Sequence, residues 1–242
     1  MKIRAFTLAE VLITLGIIGI VAAMTLPNLI QNYKDKVLIN QAKKTYSNFS
    51  NVLNLMKADL EVTDYAGIFA TGESNSQICE KFAKYYNGAK ACISAGGSCG
   101  KTYKVKLAKA TNNGTGGVSM EPMGFPRLKL ADGSFIYFRD LHRDSSGACG
   151  FQYTIQKKDE DGFYTGETKV INDSRCATLV IDVNGEEKGP NQYGADVHQI
   201  LVQQTKLAPI DGSYGALKSI FLRNKLDYET YSENKTFEQK GK

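Results

Sequence analysis

Glu10 is the single acidic residue in a stretch that otherwise suits hydrocarbon, an apolar run from Val11 to Leu26 followed by Pro27. An unpaired carboxylate in lipid costs about 2.5–3.5 kcal/mol on insertion scales, so a charge kept there needs a cationic partner and a use. A second set, Asp182, Asn184, Glu186, Asn191 and Asp196, gathers hard oxygen atoms into one short segment. Such oxygens suit a divalent cation such as calcium. A third set is five cysteines, Cys79, Cys92, Cys99, Cys149 and Cys176. The two histidines, His142 and His198, sit in no metal or nucleophile motif, and no carboxylate pair or phosphate-binding glycine loop stands out. An enzyme is not expected.

These groups need elements to hold them. Beyond Pro27 the residues Leu38, Ala42, Tyr46, Phe49, Leu53, Met56 and Leu60 recur at steps of three and four, which is one face of an amphipathic helix. Lys34, Asp35, Asn40, Lys43, Lys44, Ser47 and Asn51 occupy the opposite face. The pattern predicts one helix from about Phe6 to Leu60, roughly 80 Å long at ~1.5 Å per residue. It is expected to break or bend at Pro27, because proline removes a donor and crowds the preceding turn. Its first half is apolar all round and its second half needs a partner along one stripe. Gly16 and Gly19 in the apolar run permit close helix approach, although GxxG spacing is a weak signal.

The basic leader (Lys2, Arg4) followed by Phe6-Thr7-Leu8-Ala9-Glu10 resembles the cleavage signal of type IV pilins and their relatives. Those relatives include the pseudopilins of type II secretion and the pilins of DNA-uptake machines. The resemblance implies a cut between Ala5 and Phe6 by prepilin peptidase and N-methylation of Phe6, and it puts Pro27 where the family carries a kinking proline. Ala5 departs from the glycine usual before the cut, so slower processing is expected. An ordinary signal peptide has no glutamate at the start of its apolar core. The competing reading is an uncleaved signal anchor, for which a run of 16 apolar residues is slightly short. Lys2 and Arg4 hold the N-terminus inside in either case.

Cleavage would give Phe6 a cationic amine in the same apolar layer as Glu10. Pairing the two offsets much of the cost of burying each. The pair can form within one subunit or between Glu10 and a neighbour's Phe6; the resemblance supports the second, which sets the axial register of a helical filament. The implied partners are prepilin peptidase, other pilin-like subunits, the membrane and an inner-membrane assembly platform. The implied place is a single pass in the cytoplasmic membrane with the head outside, then a periplasmic or surface filament.

The expected fold is α+β and pilin-like: a leader at residues 1–5, a helix over 6–61 (spanning about 8–26, amphipathic over 28–61) and a mainly antiparallel sheet in a head at 62–242. Strands are predicted at Tyr103–Leu107, Leu128–Leu130, Phe135–Phe138, Phe151–Ile155 and Thr178–Val183. Asp132-Gly133 reads as a hairpin turn, Asp161-Gly162 as a second, and residues 111–117 as a loop. The polar tail after Leu226 is expected to fray. The cysteines lie on the extracytoplasmic side, where disulfides form. Separation favours Cys149–Cys176 plus one bridge among Cys79, Cys92 and Cys99. Cys92-x6-Cys99 has the wrong spacing for a zinc finger or ribbon.

The stretch Leu179–Val197 resembles a segment near the C-terminus of many pilin-like proteins: Asp-x-Asn-Gly, then Gly-Pro-Asn, then Gly-x-Asp. Two readings stand for Asp182, Asn184 and Asp196: a turn that satisfies backbone donors, or a calcium site without EF-hand spacing. Lys101, Lys104, Lys106 and Lys109 form a basic strip. It protects an edge strand, or it contacts nucleic acid. The formal charge is only +5, and loss of the leader removes two basic residues. The chain reads as a filament subunit; the alternative is a membrane-anchored binding module contacting DNA, a secreted substrate or a surface.

Overall fold

The computed structural model describes residues 7–69, 71–109, 120–142, 149–158 and 164–230. In chain order these form α1 (Leu8–Asp59), α2 (Ala66–Phe69), α3 (Asn75–Ala83), β1 (Lys90–Cys92), β2 (Tyr103–Lys106), β3 (Met120–Met123), β4 (Arg127–Lys129), β5 (Phe135–Leu141), β6 (Phe151–Lys158), β7 (Tyr164–Asp173), β8 (Arg175–Asp182), β9 (Val197–Gln203), β10 (Leu207–Pro209) and α4 (Leu217–Arg223). The predicted loop at 111–117 and the Asp161-Gly162 turn lie outside the described residues. So does the tail from residue 231.

α1 contains 52 residues and runs through Pro27 without interruption. The proline does not end the helix, because its fixed φ fits helical backbone and the only bond it forfeits is the one to the carbonyl four residues back. From Leu8 to Leu29 α1 buries nothing, and the space around Gly16 and Gly19 is open. Further along it buries Ile39, Ala42, Thr45, Phe49, Val52, Leu53 and Met56. The predicted stripe is therefore slightly rotated. Leu38 and Tyr46 are half-buried at its rim, and Leu60 becomes the exposed C-cap. The sheet contacts a band wider than a single line of residues, so Ile39 and Val52 join it.

The head is built on a six-stranded antiparallel sheet in the order β1-β4-β5-β8-β9-β10. β8 lies inside it and is buried almost throughout, as a central strand covered on both faces must be. Ala177, Leu179 and Ile181 face the core shared with α1, α2 and α3. Phe82 of α3 sits at its centre, 5.6 Å from the Phe49 ring, 5.5 Å from Phe69 and 5.2 Å from Phe138. Burying such a side chain contributes about 1.5–3 kcal/mol. Val180 points to the other face, into a second core with Val105, Leu107, Met123, Tyr193 and Val197. The β2–β3 ribbon and the segment after β8 form that outer layer.

Two disulfides staple the head, Cys92–Cys99 and Cys149–Cys176. The second encloses the β6–β7 hairpin, which among the described residues pairs only with itself. Cys79 is free and fully buried in α3, and burial pushes its thiol up to about 12, which keeps it unreactive.

Candidate functional site

Two places hold the residues singled out by chemistry: the start of α1, and the loop between β8 and β9. At the first, Thr7 is the N-cap of α1 and Glu10 is its third helical residue. The Thr7 N–H and hydroxyl both donate to Glu10 Oε2 at 2.8 Å, and the Glu10 N–H donates to Thr7 Oγ1 at 3.2 Å. This is a reciprocal capping box, written in the sequence as Thr-x-x-Glu. Among the described residues Glu10 Oε1 has no hydrogen bond, so one oxygen remains for a cation. Ala5 and Phe6 lie outside the described residues. The other polar groups of the span are satisfied locally: Thr14 and Thr25 donate their hydroxyls to the carbonyls of Val11 and Val21 at 2.9 Å. One stretch of α1 is long and apolar enough to cross a membrane.

At the second place, β8 ends at Asp182 and delivers its carboxylate to the outer face of the sheet. Asp182 Oδ1 accepts from the N–H groups of Asn184 at 3.1 Å and Gly185 at 2.7 Å, and Oδ2 accepts from the Tyr103 hydroxyl at 2.5 Å. Asp196 Oδ2 accepts from the Asn191 N–H at 2.9 Å, and Oδ1 from the Gln192 N–H at 2.8 Å. Asn184 Nδ2 donates to Gly189 O at 3.0 Å, and Asn191 Nδ2 to Glu186 O at 2.9 Å. Gly185 turns the chain at φ +84°, and a Cβ there would stand 2.6 Å from Gly133 O. The loop is tied to itself through its own backbone donors.

In that arrangement Asp182 and Asp196 satisfy the backbone donors of their own loop. Both oxygens of each aspartate face N–H or O–H donors. Among the described residues no group of three or more His, Cys, Asp or Glu side chains could hold a metal ion. Glu186 turns away, toward Arg127.

Arg127 had no signal in the sequence, yet it joins the pieces. It is fully buried. Its Nη2 donates to Cys99 O, to Lys101 O at 3.2 Å and to Glu186 Oε2 at 3.5 Å. Its guanidinium lies 4.2 Å from the Phe135 ring centre, 4.6 Å from Phe125 and 5.5 Å from Tyr103. One cation thus links the Cys92–Cys99 loop, the sheet and the loop after β8.

Burial raises the pKa of Asp182. Asp196 is raised to about 6, first by burial and then by the charge of Asp182. A folded-state pKa above the unfolded value near 3.8 means the fold takes up protons. This contribution to stability is fully present below pH 3.8 and is lost as pH rises through 6. Asp196→Asn removes it. At pH 4.5 the variant is expected to fall behind the wild type by about 2 kcal/mol more than at pH 7.5, at 1.36 kcal/mol per unit. Urea unfolding at the two pH values checks this; an unchanged difference would place the proton elsewhere.

The histidines serve the fold. His142 Nε2 is 2.8 Å from Thr178 Oγ1, and its pKa is lowered by burial and then by Arg175. His198 Nδ1 accepts from the Ala216 N–H at 3.3 Å, and burial holds its pKa down at about 4. In the basic strip, β2 is paired on one side by β3, and on the other the Lys106 N–H donates to Asn191 O at 2.9 Å. Lys101 and Lys104 are exposed, and Lys109 is 3.9 Å from Asp227.

Residues 1–26 match the family described as a prokaryotic N-terminal methylation motif. No curated protein and no solved structure matches the chain. A prepilin-type motif thus leads into one long helix, apolar then amphipathic, which carries a mostly antiparallel extracytoplasmic head.

Proposed function

We propose that the chain is a structural subunit of a type IV pilus-like or type II secretion pseudopilus filament, cut by prepilin peptidase between Ala5 and Phe6 and assembled through α1. The observation that carries this reading is the methylation motif on a helix whose first half the head leaves uncovered. In a membrane that half faces lipid, and in a filament it faces other copies of itself. Heterologous contacts of this kind do not close and so propagate. Glu10, with Oε1 open, is the acceptor for a neighbour's Phe6 amine. The described residues of the head contribute packing, disulfides and a hydrogen-bonded loop, which suits a structural part.

The test is the N-terminus of mature protein made together with a prepilin peptidase and read by intact mass and terminal sequencing. A chain beginning at methylated Phe6 is expected, and Ala5→Gly is expected to speed its appearance. Mature protein that keeps Met1 would sink this reading and leave an anchored module. One observation favours that second reading. The stapled β6–β7 hairpin exposes Tyr153, Ile155 and Val170, and a two-stranded ribbon is marginal without a partner.

A further inference from the structure

We infer that the open cavity between α1 and the loop after β8 receives the far end of α1 from a second copy of this chain, so that heads stack base to tip along the filament. The inference rests on the filament reading. The cavity holds about 790 Å³, and its walls come from residues 31–41 of α1, from Lys106, from residues 184–192 and from Tyr228 and Thr230. Three separate segments bring Lys34, Lys106 and Lys188 to it, and no carboxylate of the described residues lines it. None of the three ammonium groups pairs with a carboxylate of the described residues. Between the lysines the walls are apolar, with Tyr33, Val37 and Pro190 exposed.

The opposite end of the head is the complement. α1 stops at Asp59, and Glu61 and Asp64 follow closely. None of these three carboxylates pairs with a cation of the described residues. Asp59 accepts from the Tyr85 hydroxyl at 2.5 Å, and Asp64 from the Ala66 N–H at 3.0 Å and from Gln204 Nε2 at 2.8 Å. Glu61 is exposed. Lys57, the basic residue of the last turn, lies 5.4 Å from the Tyr65 ring centre. The helix dipole adds partial negative charge at this end. Leu55 and Leu60 are exposed beside the acids. Apolar surface with anions thus stands at one end of the molecule, and apolar surface with cations at the other.

The two ends are far apart in one copy. Lys34 and Asp59 are separated by roughly 38 Å along the helix axis at ~1.5 Å per residue. The loop after β8 closes one end of the sheet. At the other end, past β9, Gln204 O accepts from the Tyr65 N–H at 2.8 Å. The lysines therefore cannot meet these acids within one molecule, but a second copy displaced by one head height along a common axis brings them together. Such a contact joins different patches on the two copies, so it is heterologous and propagates without closing. Glu10 would meet a neighbour's Phe6 at an offset of only about 6 Å, so the two contacts join different pairs of copies. Exposed ion pairs are individually weak; set at two facing ends, their work is choice of partner and register.

The test is carbodiimide coupling of the assembled full chain, which joins a lysine amine to a carboxylate in contact as an amide with loss of water. Links from Lys34, Lys106 or Lys188 to Asp59, Glu61 or Asp64 are expected in sheared filaments and not in the same chain dispersed in detergent. Filament yield should drop on the order of tenfold when Lys34→Glu and Lys188→Glu are combined, because like charges then face each other. Asp59→Lys with Glu61→Lys should do the same, and all four together should recover most of the yield. Link mapping uses the unaltered chain, so it decides the matter even if a charge-reversed head misfolds. Filaments in which these lysines link elsewhere on the neighbour, or to Glu233 or Glu238 of the tail, overturn the contact. A four-fold variant that melts like the wild type but recovers no yield does so too. A link to a different protein makes the cavity that partner's site and overturns the second-copy assignment. A chain that forms no filament at all refutes the filament reading beneath the inference, and the contact with it.

Discussion

Glu10→Gln is expected to cut incorporation into filaments on the order of a hundredfold while leaving the helix start and membrane insertion intact. Glutamine at the third helical position keeps a capping box with Thr7, so the two bonds to Oε2 have a neutral replacement. What is lost is the charge. If that charge meets a neighbour's amine in an apolar layer, removing it strands the amine. Breaking a buried pair from one side costs about 3–5 kcal/mol, and 1.4 kcal/mol is a factor of ten. Glu10→Ala should lose the pair and the cap together, and so should also weaken the first turn. Co-assembly with tagged wild-type chain, followed by shearing and quantitation, reads the effect. Incorporation of Glu10→Gln at the wild-type level would show that the carboxylate serves only its own helix.

Arg127→Met is expected to destabilise the head by about 3–5 kcal/mol. Methionine fills much of the volume, but it leaves Cys99 O and Lys101 O without their donor and Glu186 without its cation. Each buried acceptor left unmatched costs about 1–3 kcal/mol. The three ring contacts add cation–π energy, about 2 kcal/mol or more where desolvated. Arg127→Lys should recover little, because a compact and strongly hydrated ammonium replaces a flat group lying against rings. Urea unfolding of a chain lacking residues 1–27, of which the described part (7–27) buries nothing in the head, measures the loss. A loss under about 1 kcal/mol would make Arg127 a filler. A cycle with Glu186→Gln separates the ion pair from the carbonyl bonds.

The strands that the sequence announced are those with alternating or continuous apolar residues: Phe135–Leu141 extends the predicted Phe135–Phe138, and Arg175–Asp182 starts before the predicted Thr178–Val183 and ends one residue short of it. β9 escaped because Val197-His198-Gln199-Ile200 carries two polar residues that end up buried. His198 and Gln199 look like solvent-facing positions until the turn at Gly215-Ala216 and the second core cover them. α3 and α4 are short, and packing rather than periodicity holds them. The capping box at Thr7 was legible by its spacing but was eclipsed by the cleavage signal that shares its residues.

The amino-acid order alone determined the character of the first helix. A basic leader, Phe6, Glu10 and the run to Leu26 are local features, and hydrophobic transfer and charge act on them wherever the rest of the chain goes. The tertiary structure decided the fate of the head's polar groups. Whether Asp182 and Asp196 hold a cation or a turn depends on donors from Tyr103, Gly185 and Gln192, one of them far away in the chain. Whether Lys34, Lys106 and Lys188 are scattered charges or one cavity depends on α1, β2 and the loop meeting. Desolvation prices a polar group by what surrounds it, and for those residues the surroundings exist only after folding.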